Sequence, residues 1–227
     1  MSGRAEDLLL VFLKAPRPGQ VKSRLIPALG ADAAAELYRV LAEEVIRRTA
    51  PLAGEYRRLF FFTPSDALAE VQAWFPGETL LPQEGTDLGQ RMAAAFSQAF
   101  RQDARRVAII GTDAPAVSRE RVLEAFGSLD DHDVVIGPAR DGGYYLLALS
   151  QSRPALFQGL AWSTPSVFAS TAERAKALGL GVRVLETLGD IDTLEDVRRD
   201  WPPLRPMLAA RRELMRLVER ALASATG

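Results

Sequence analysis

Apolar runs of strand length alternate along this chain with stretches of helical periodicity, and that alternation restricts the fold more than any other feature. Leu8 to Leu13 is a first β-like run. A helix is predicted from about Asp32 to Thr49, where Leu37, Leu41 and Val45 recur at i, i+4 and i+8, and a second strand follows at Leu59 to Thr63. Strand, helix and strand in this order make a βαβ unit, whose strands pair in parallel. A short helix near Asp66 to Trp74 and a weak strand around Thr79 to Leu81 come next. Asp87 and Gln90 resemble a capping box opening a strong helix with Leu88, Met92, Phe96 and Ala99 on its buried face. Val107 to Ile110 is a fully apolar strand, and Ser118 caps a helix carrying Val122, Phe126 and Leu129.

Asp133 to Pro138 and Tyr144 to Leu149 read as two further strands joined by Ala139 to Gly143. So short a link permits a hairpin, so one strand is predicted antiparallel in an otherwise parallel sheet. Thr164 reads as an N-cap with Pro165 at the first helical position of a helix to about Leu178, followed by a strand at Val182 to Leu185. Two helices close the chain, the last from about Pro206 to Ala223 with Met207, Leu208, Leu214 and Leu217 inward and its arginines solvated. The expected fold class is α/β, with helices covering a mostly parallel mixed sheet in one domain over residues 1–227 and helix 206–223 packed on its side.

The balance of charge narrows the partners. With 227 residues, 48% of them hydrophobic, and a formal net charge of −1, the chain can bury a full core but offers no global attraction for nucleic acid or an acidic membrane surface. It contains no cysteine, which excludes a disulfide framework, a thiolate zinc site and a cysteine nucleophile. The N-terminal apolar run is too short to span a bilayer and lacks a cleavage pattern. A cytoplasmic protein is expected.

Charge is instead concentrated locally. Directly after the first strand comes Lys14-Ala15-Pro16-Arg17-Pro18-Gly19-Gln20-Val21-Lys22-Ser23-Arg24, a punctuated loop with four cations and no acid. Such a loop suits phosphate oxygens, and the amides around Gly19 can approach them because glycine has no Cβ. It is not a Walker A loop, since Gly19-Gln20-Val21-Lys22-Ser23 lacks the Gly-Lys adjacency and the upstream glycine, and no G-x-G-x-x-G follows the strand. Two acids fall at other strand ends. Asp113 follows the apolar strand at Val107 to Ile110 within Gly111-Thr112-Asp113-Ala114-Pro115, where it is either a ligand or a turn former. Asp192 lies in Gly189-Asp190-Ile191-Asp192-Thr193, where Asp192 or Thr193 equally suits a helix cap. Magnesium takes one or two protein carboxylates and fills its other positions with waters and phosphates, so two aspartates at separate strand ends would suffice.

These segments, with Gln83-Glu84-Gly85-Thr86-Asp87-Leu88-Gly89-Gln90, Gly137-Pro138-Ala139-Arg140-Asp141-Gly142-Gly143-Tyr144-Tyr145 and Trp162-Ser163-Thr164, occur in an order that resembles a bacterial glycosyltransferase-like family of the nucleotide-diphospho-sugar transferase superfamily. Some members are labelled arsenosugar-biosynthesis glycosyltransferases. The chain is similar, more distantly, to phospholactate guanylyltransferases and molybdenum-cofactor nucleotidyltransferases. The resemblance spans roughly Leu8 to Trp201 and implies a GT-A-like three-layer α/β/α sandwich. It further implies that Lys14, Arg17, Gly19, Lys22 and Arg24 wrap the nucleotide phosphates and that Gln83, Gly85 and Thr86 contact the base, although Gly85-Thr86 also suits a plain turn. Asp113 and Asp192 match the Mg²⁺ or Mn²⁺ ligands, with Asp190 as the alternative to Asp192. Asp141, Gly142, Gly143 and Tyr144 match the acceptor or sugar-phosphate pocket, where Asp141 serves as a base or hydroxyl ligand, or simply forms a hairpin turn. Trp162 stacks on acceptor or sugar, or is a core aromatic. His132, in the acidic Asp130-Asp131-His132-Asp133 connection, is read as an exposed loop residue.

One departure bears on the reaction. Pro115 stands where the glycosyltransferases often carry the second acid of an Asp-x-Asp. Glycosyl transfer from a nucleotide-diphospho-sugar to a small-molecule acceptor is the first expectation, and nucleotidyl transfer from an NTP with release of pyrophosphate is the alternative. A catalytically silent nucleotide-binding regulator is the third, and the two acids Asp113 and Asp192 speak against it.

Overall fold

The computed structural model describes residues 6–224. Its centre is β1 (Asp7–Lys14), in which the seven residues Asp7 to Leu13 are buried. A strand apolar on both faces must be covered on both, and the alternation is visible in the packing. Leu9, Val11 and Leu13 enter one hydrophobic layer while Leu8, Leu10 and Phe12 enter the other. Each such burial contributes roughly 1.5–3 kcal/mol.

Around β1 the chain winds α1 (Ile26–Leu29), α2 (Ala31–Arg48), β2 (Arg57–Thr63), α3 (Leu68–Trp74) and β3 (Leu80–Pro82). It continues through α4 (Leu88–Arg101), β4 (Arg106–Ile110), α5 (Arg119–Ser128) and the hairpin of β5 (Val134–Pro138) and β6 (Tyr144–Leu149). The last part holds α6 (Val167–Ala177), β7 (Val182–Val184), α7 (Leu194–Arg199), α8 (Trp201–Met207) and α9 (Arg212–Ser224). The seven strands form one sheet in the order β3-β2-β1-β4-β6-β5-β7. β6 runs antiparallel to both neighbours and the other pairings are parallel, as the short Ala139–Gly143 link implies.

One face of the sheet is covered by α5 through Val122, Ala125 and Phe126, and by Val45, Ile46 and Val71 of α2 and α3. The other is covered by Met92, Phe96 and Ala99 of α4 and by Ala175 of α6. This is the expected α/β/α sandwich. Beyond α2 lies a further apolar cluster in which Leu25, Leu37 and Leu41 meet Val197, Leu204, Leu208, Leu214 and Val218 of the C-terminal segment.

Local departures have physical reasons. The helix expected over 206–223 is divided: α8 ends at Met207, Leu208 is fully buried, and the chain turns before α9. Pro206 has no N–H to extend α8, and the turn lets Leu208, Leu214 and Val218 all face the same cluster. Thr164 does not cap α6. Its hydroxyl donates to Ala161 O at 2.7 Å and its carbonyl accepts from Val167 N–H, so Thr164-Pro165 forms the turn before a helix that starts at Val167. His132 is half-buried, with Nδ1 3.0 Å from Ser128 O. No helix among the described residues is long and apolar enough to cross a membrane.

Candidate active site

The strand ends that carry the candidate residues open on one edge of the sheet. In a parallel sheet the carboxyl ends share an edge, and the antiparallel β6 adds its first residues there too. Lys14 closes β1, Asp113 follows β4 by three residues, and Asp141 to Gly143 form the β5–β6 turn.

The loop after β1 is held at two points. Arg17 is paired with acids after β2: its Nη2 and Nε donate to Glu70 Oε1 at 2.6 and 3.0 Å, and Nη1 donates to Asp66 Oδ1 at 3.1 Å. It latches the loop to α3 and the turn before it, so among the expected phosphate cations Arg17 is the one engaged elsewhere. Gln20 N–H then donates to Arg17 O across a turn in which Gly19 has φ +81° with open space around it. Further on, Lys22 adopts left-handed backbone, φ 48° and ψ 42°, at the entry to a 3-10 turn over Ser23–Leu25. Such a conformation is uncommon for a residue with a Cβ and is held by its surroundings.

That backbone delivers the Lys22 ammonium into the strand ends. Its side chain is 3% exposed, Nζ donates to Asp113 Oδ1, and Asp192 Oδ1 lies 3.9 Å away. Arg24 Nη1 donates to the other oxygen of Asp192 at 3.3 Å. Lys22 therefore sits between two carboxylates 79 residues apart in sequence, a separation evident from their numbering alone. Asp113 keeps 51% of its side chain open, yet protein crowds it from below. Burial works to raise its carboxyl, but the Lys22 charge and hydrogen bond and the field of Lys14 outweigh it and hold the group below the usual carboxylate range.

Asp192 is brought across by the segment after β7. Leu188 N–H donates to Pro138 O, Arg140 N–H donates to Leu188 O, and Ile191 N–H donates to Asp113 O at 3.0 Å. Thr193 takes the capping role at α7: its Oγ1 accepts from Asp196 N–H while Asp196 Oδ2 accepts from Thr193 N–H. Asp192 therefore does not cap α7, and its carboxylate faces Lys22 and Arg24 instead. Asp190 is half-buried, and burial first, then the charge of Asp141, pushes its carboxyl up to about 6. Asp141 itself accepts Gly143 N–H on Oδ1 at 2.8 Å, an Asx turn.

The remaining expected contacts are arranged differently. Gln83 donates from Nε2 to Phe61 O at 2.9 Å and to Leu13 O at 3.3 Å, bracing the ends of β2 and β1. Thr86 N–H and Oγ1 both bond Gln90 Oε1, and a Cβ at Gly85 would meet Gln90 Cβ at 2.7 Å, so this stretch is locked to the first turn of α4. The space a side chain at Gly142 would need is filled by Pro165 O, 1.9 Å from an ideal Cβ, so this glycine admits the neighbouring chain rather than open solvent. Tyr144 points into the α4 layer with its hydroxyl donating toward Met92 Sδ, and Trp162 lies over Gly89 and stacks on Phe157 at 6.3 Å. Both pack in the hydrophobic layer between the sheet and α4.

Tyr38 is a site residue that sequence reasoning passes over. It is 2% exposed, its Oη accepts Lys14 N–H at 2.8 Å, and it shares a hydrogen bond with Thr112 Oγ1 at 2.9 Å. It pins the residue that ends β1 to the residue before Asp113. The only signal was a tyrosine among the apolar positions of the α2 pattern.

No curated protein sequence matches the chain. Among solved structures it is similar to a Desulfovibrio desulfuricans G20 protein described as a "putative nucleotide-diphospho-sugar transferase", at 32% identity over 95% of this chain and 99% of that one, with a TM-score of 0.85. It shares its fold with a CMP:2-keto-3-deoxy-manno-octonic acid synthetase complexed with CTP, at 14% identity, 88% and 99% coverage and a TM-score of 0.56. It also shares it with the 4-diphosphocytidyl-2C-methyl-D-erythritol synthase of Anaerococcus prevotii DSM 20548, at 12% identity, the same coverages and a TM-score of 0.56. With residues 46–164 matching its pattern, the chain belongs to the family described as "Uncharacterized protein conserved in bacteria (DUF2064)".

Proposed function

We propose that this protein is a transferase that uses a nucleotide-activated donor, and that the donor is a nucleotide-diphospho-sugar from which glycosyl passes to a small-molecule acceptor. The observation that carries this reading is the meeting of Lys22 and Arg24 with Asp113 and Asp192 at the carboxyl edge of the sheet. The similarity to the Desulfovibrio protein supports it.

The site's donor set fits magnesium or manganese, because two carboxylates from separate loops already share one cation between them. Asp113 and Asp192 would hold the ion, which when bound supplies neutralisation of charge developing on the departing phosphate. Lys14, Lys22 and Arg24 add positive charge toward the same oxygens. Asp141, its Oδ1 anchored by Gly143 N–H, is oriented to take the acceptor hydroxyl's proton on Oδ2.

Nucleotidyl transfer is the second reading, favoured by one feature: buried Pro115 leaves Asp113 as the single acid of its strand end. There the attacked centre would be the α-phosphorus of an NTP and pyrophosphate would leave. Incubation with Mg²⁺ or Mn²⁺ and panels of nucleotide sugars and NTPs separates the two. Release of a nucleoside diphosphate supports glycosyl transfer, release of pyrophosphate supports the second reading, and no metal-dependent product from either panel overturns both.

A further inference from the structure

We infer that Lys22 is the resident cation of the Asp113–Asp192 seat, and that a divalent ion enters that seat only as nucleotide phosphate draws the ammonium away. The inference rests on the proposed reading of these two aspartates as metal ligands and adds an order to it: metal and nucleotide bind together rather than independently.

Geometry sets the competition. Lys22 Nζ is in contact with Asp113 Oδ1 and 3.9 Å from Asp192 Oδ1, so it lies where an ion bridging those oxygens would lie. Magnesium binds carboxylate oxygen at about 2.0–2.1 Å, so an ion bridging these two oxygens would need the space that the ammonium fills. The ammonium and the ion cannot occupy that position at once.

Charge sets the coupling. At rest the two carboxylates are already matched by the two cations paired with them, Lys22 and Arg24, and the field of Lys14 reaches Asp113 as well. A divalent ion added alone would either leave two uncompensated positive charges beside it or expel a 3% exposed ammonium with no new partner. The phosphates of a nucleotide remove both costs, since they supply negative charge and acceptor oxygens for the displaced lysine.

The movement needs no unfolding of the loop. Arg17 is latched to Asp66 and Glu70, Leu25 is fully buried, and the strained backbone of Lys22 is fixed between them. Its stem has four rotatable carbons, so the head group can move from carboxylate to phosphate while the backbone stays in place. Lys22 thus acts as a positioning residue for metal entry as well as a phosphate contact.

Binding of Mn²⁺ alone to the 227-residue chain, followed by the loss of the free-ion electron paramagnetic resonance signal, tests this without turnover. Lys22→Met is expected to bind Mn²⁺ about tenfold or more tightly than the parent, a coupling within the ordinary range, and Lys22→Arg, which keeps a cation there, is expected to match the parent. Lys22→Gln serves as the second neutral variant, with circular dichroism confirming that each is folded. Neutral variants that bind Mn²⁺ no better than the parent overturn the inference. Tight binding that survives in Lys22→Met/Asp113→Asn and in Lys22→Met/Asp192→Asn would instead overturn the assignment of the aspartates, which makes the two failures distinguishable.

Discussion

Ile191 donates its N–H to the carbonyl oxygen of Asp113 across 3.0 Å, and through this bond the segment after β7 is carried over the start of β6 to the end of β4. Asp192, one residue on, is thereby delivered beside Asp113 and Lys22. The acid pair is therefore built by backbone docking, and the two side chains need not attract each other to meet.

Neutralising either acid isosterically should cost turnover more than stability. Asp113→Asn and Asp192→Asn are each expected to lower kcat with the donor identified by the panel about 10²–10³-fold, the effect of removing one preorganised charged group. Steady-state kinetics at saturating donor, beside thermal melting, checks this. Parent-like kcat in Asp113→Asn would remove that residue from the machinery.

Removing the hydroxyl of Tyr38 takes a partner from Lys14 N–H and from the buried Thr112 Oγ1. Tyr38→Phe is expected to destabilise the fold by about 1–3 kcal/mol in urea unfolding. It should also slow turnover, because the residue pins Lys14 beside Thr112-Asp113. An unchanged unfolding midpoint would show that the bridge contributes nothing.

Two glycines with similar backbone predict different outcomes. Gly19 has φ +81° and no atom within 4 Å of an added Cβ, so Gly19→Ala should cost only the left-handed backbone penalty, about 1–2 kcal/mol. Gly142 has φ +89° and faces Pro165 O, so Gly142→Ala should cost more and displace the turn before α6. Melting temperatures of the two variants give the order, and equal losses would contradict it.

Acid stability should depend on Asp7. This buried carboxylate accepts from Arg105 Nη2 at 2.8 Å and Arg106 Nη2 at 2.7 Å. Burial raises its pKa, but the two arginine hydrogen bonds and charges prevail and lower it below 3.8. A lowered carboxylate pKa contributes stability that is present above the unfolded value and lost as pH falls through the folded one. Asp7→Asn, which leaves Arg106 without its buried partner, is expected to cost about 3 kcal/mol at neutral pH. The gap between parent and variant should stay constant down to about pH 4 and close below it, as read by denaturant unfolding over a pH series. A gap independent of pH would count against the ion pair.

The architecture was legible because strand burial and helix amphipathicity leave a period in the chain. β1 is apolar on both faces, α2 and α4 repeat at helical spacing, and the short Ala139–Gly143 link forces the antiparallel β6. The basic loop and Asp113 could be read for the same reason, since residue type and position at a strand end are local facts. Partner choice is not local. Arg17 and Lys22 are equivalent cations in sequence, yet one meets Glu70 on α3 and Asp66 in the turn before it, and the other meets Asp113 and Asp192.

By itself, the sequence determined the layers, the strand-end placement of Lys14, Lys22, Arg24 and Asp113, and the absence of cysteine chemistry, because these follow from hydrophobic period and residue identity. Only the tertiary structure decided that Thr193 caps α7 while Asp192 faces Lys22, that Tyr144 and Trp162 turn into the α4 layer, and that Tyr38 joins two strand ends. The Thr193 cap is local, but Asp192 meets a lysine 170 residues earlier and Tyr38 meets a threonine 74 residues later, and no local pattern encodes such neighbours.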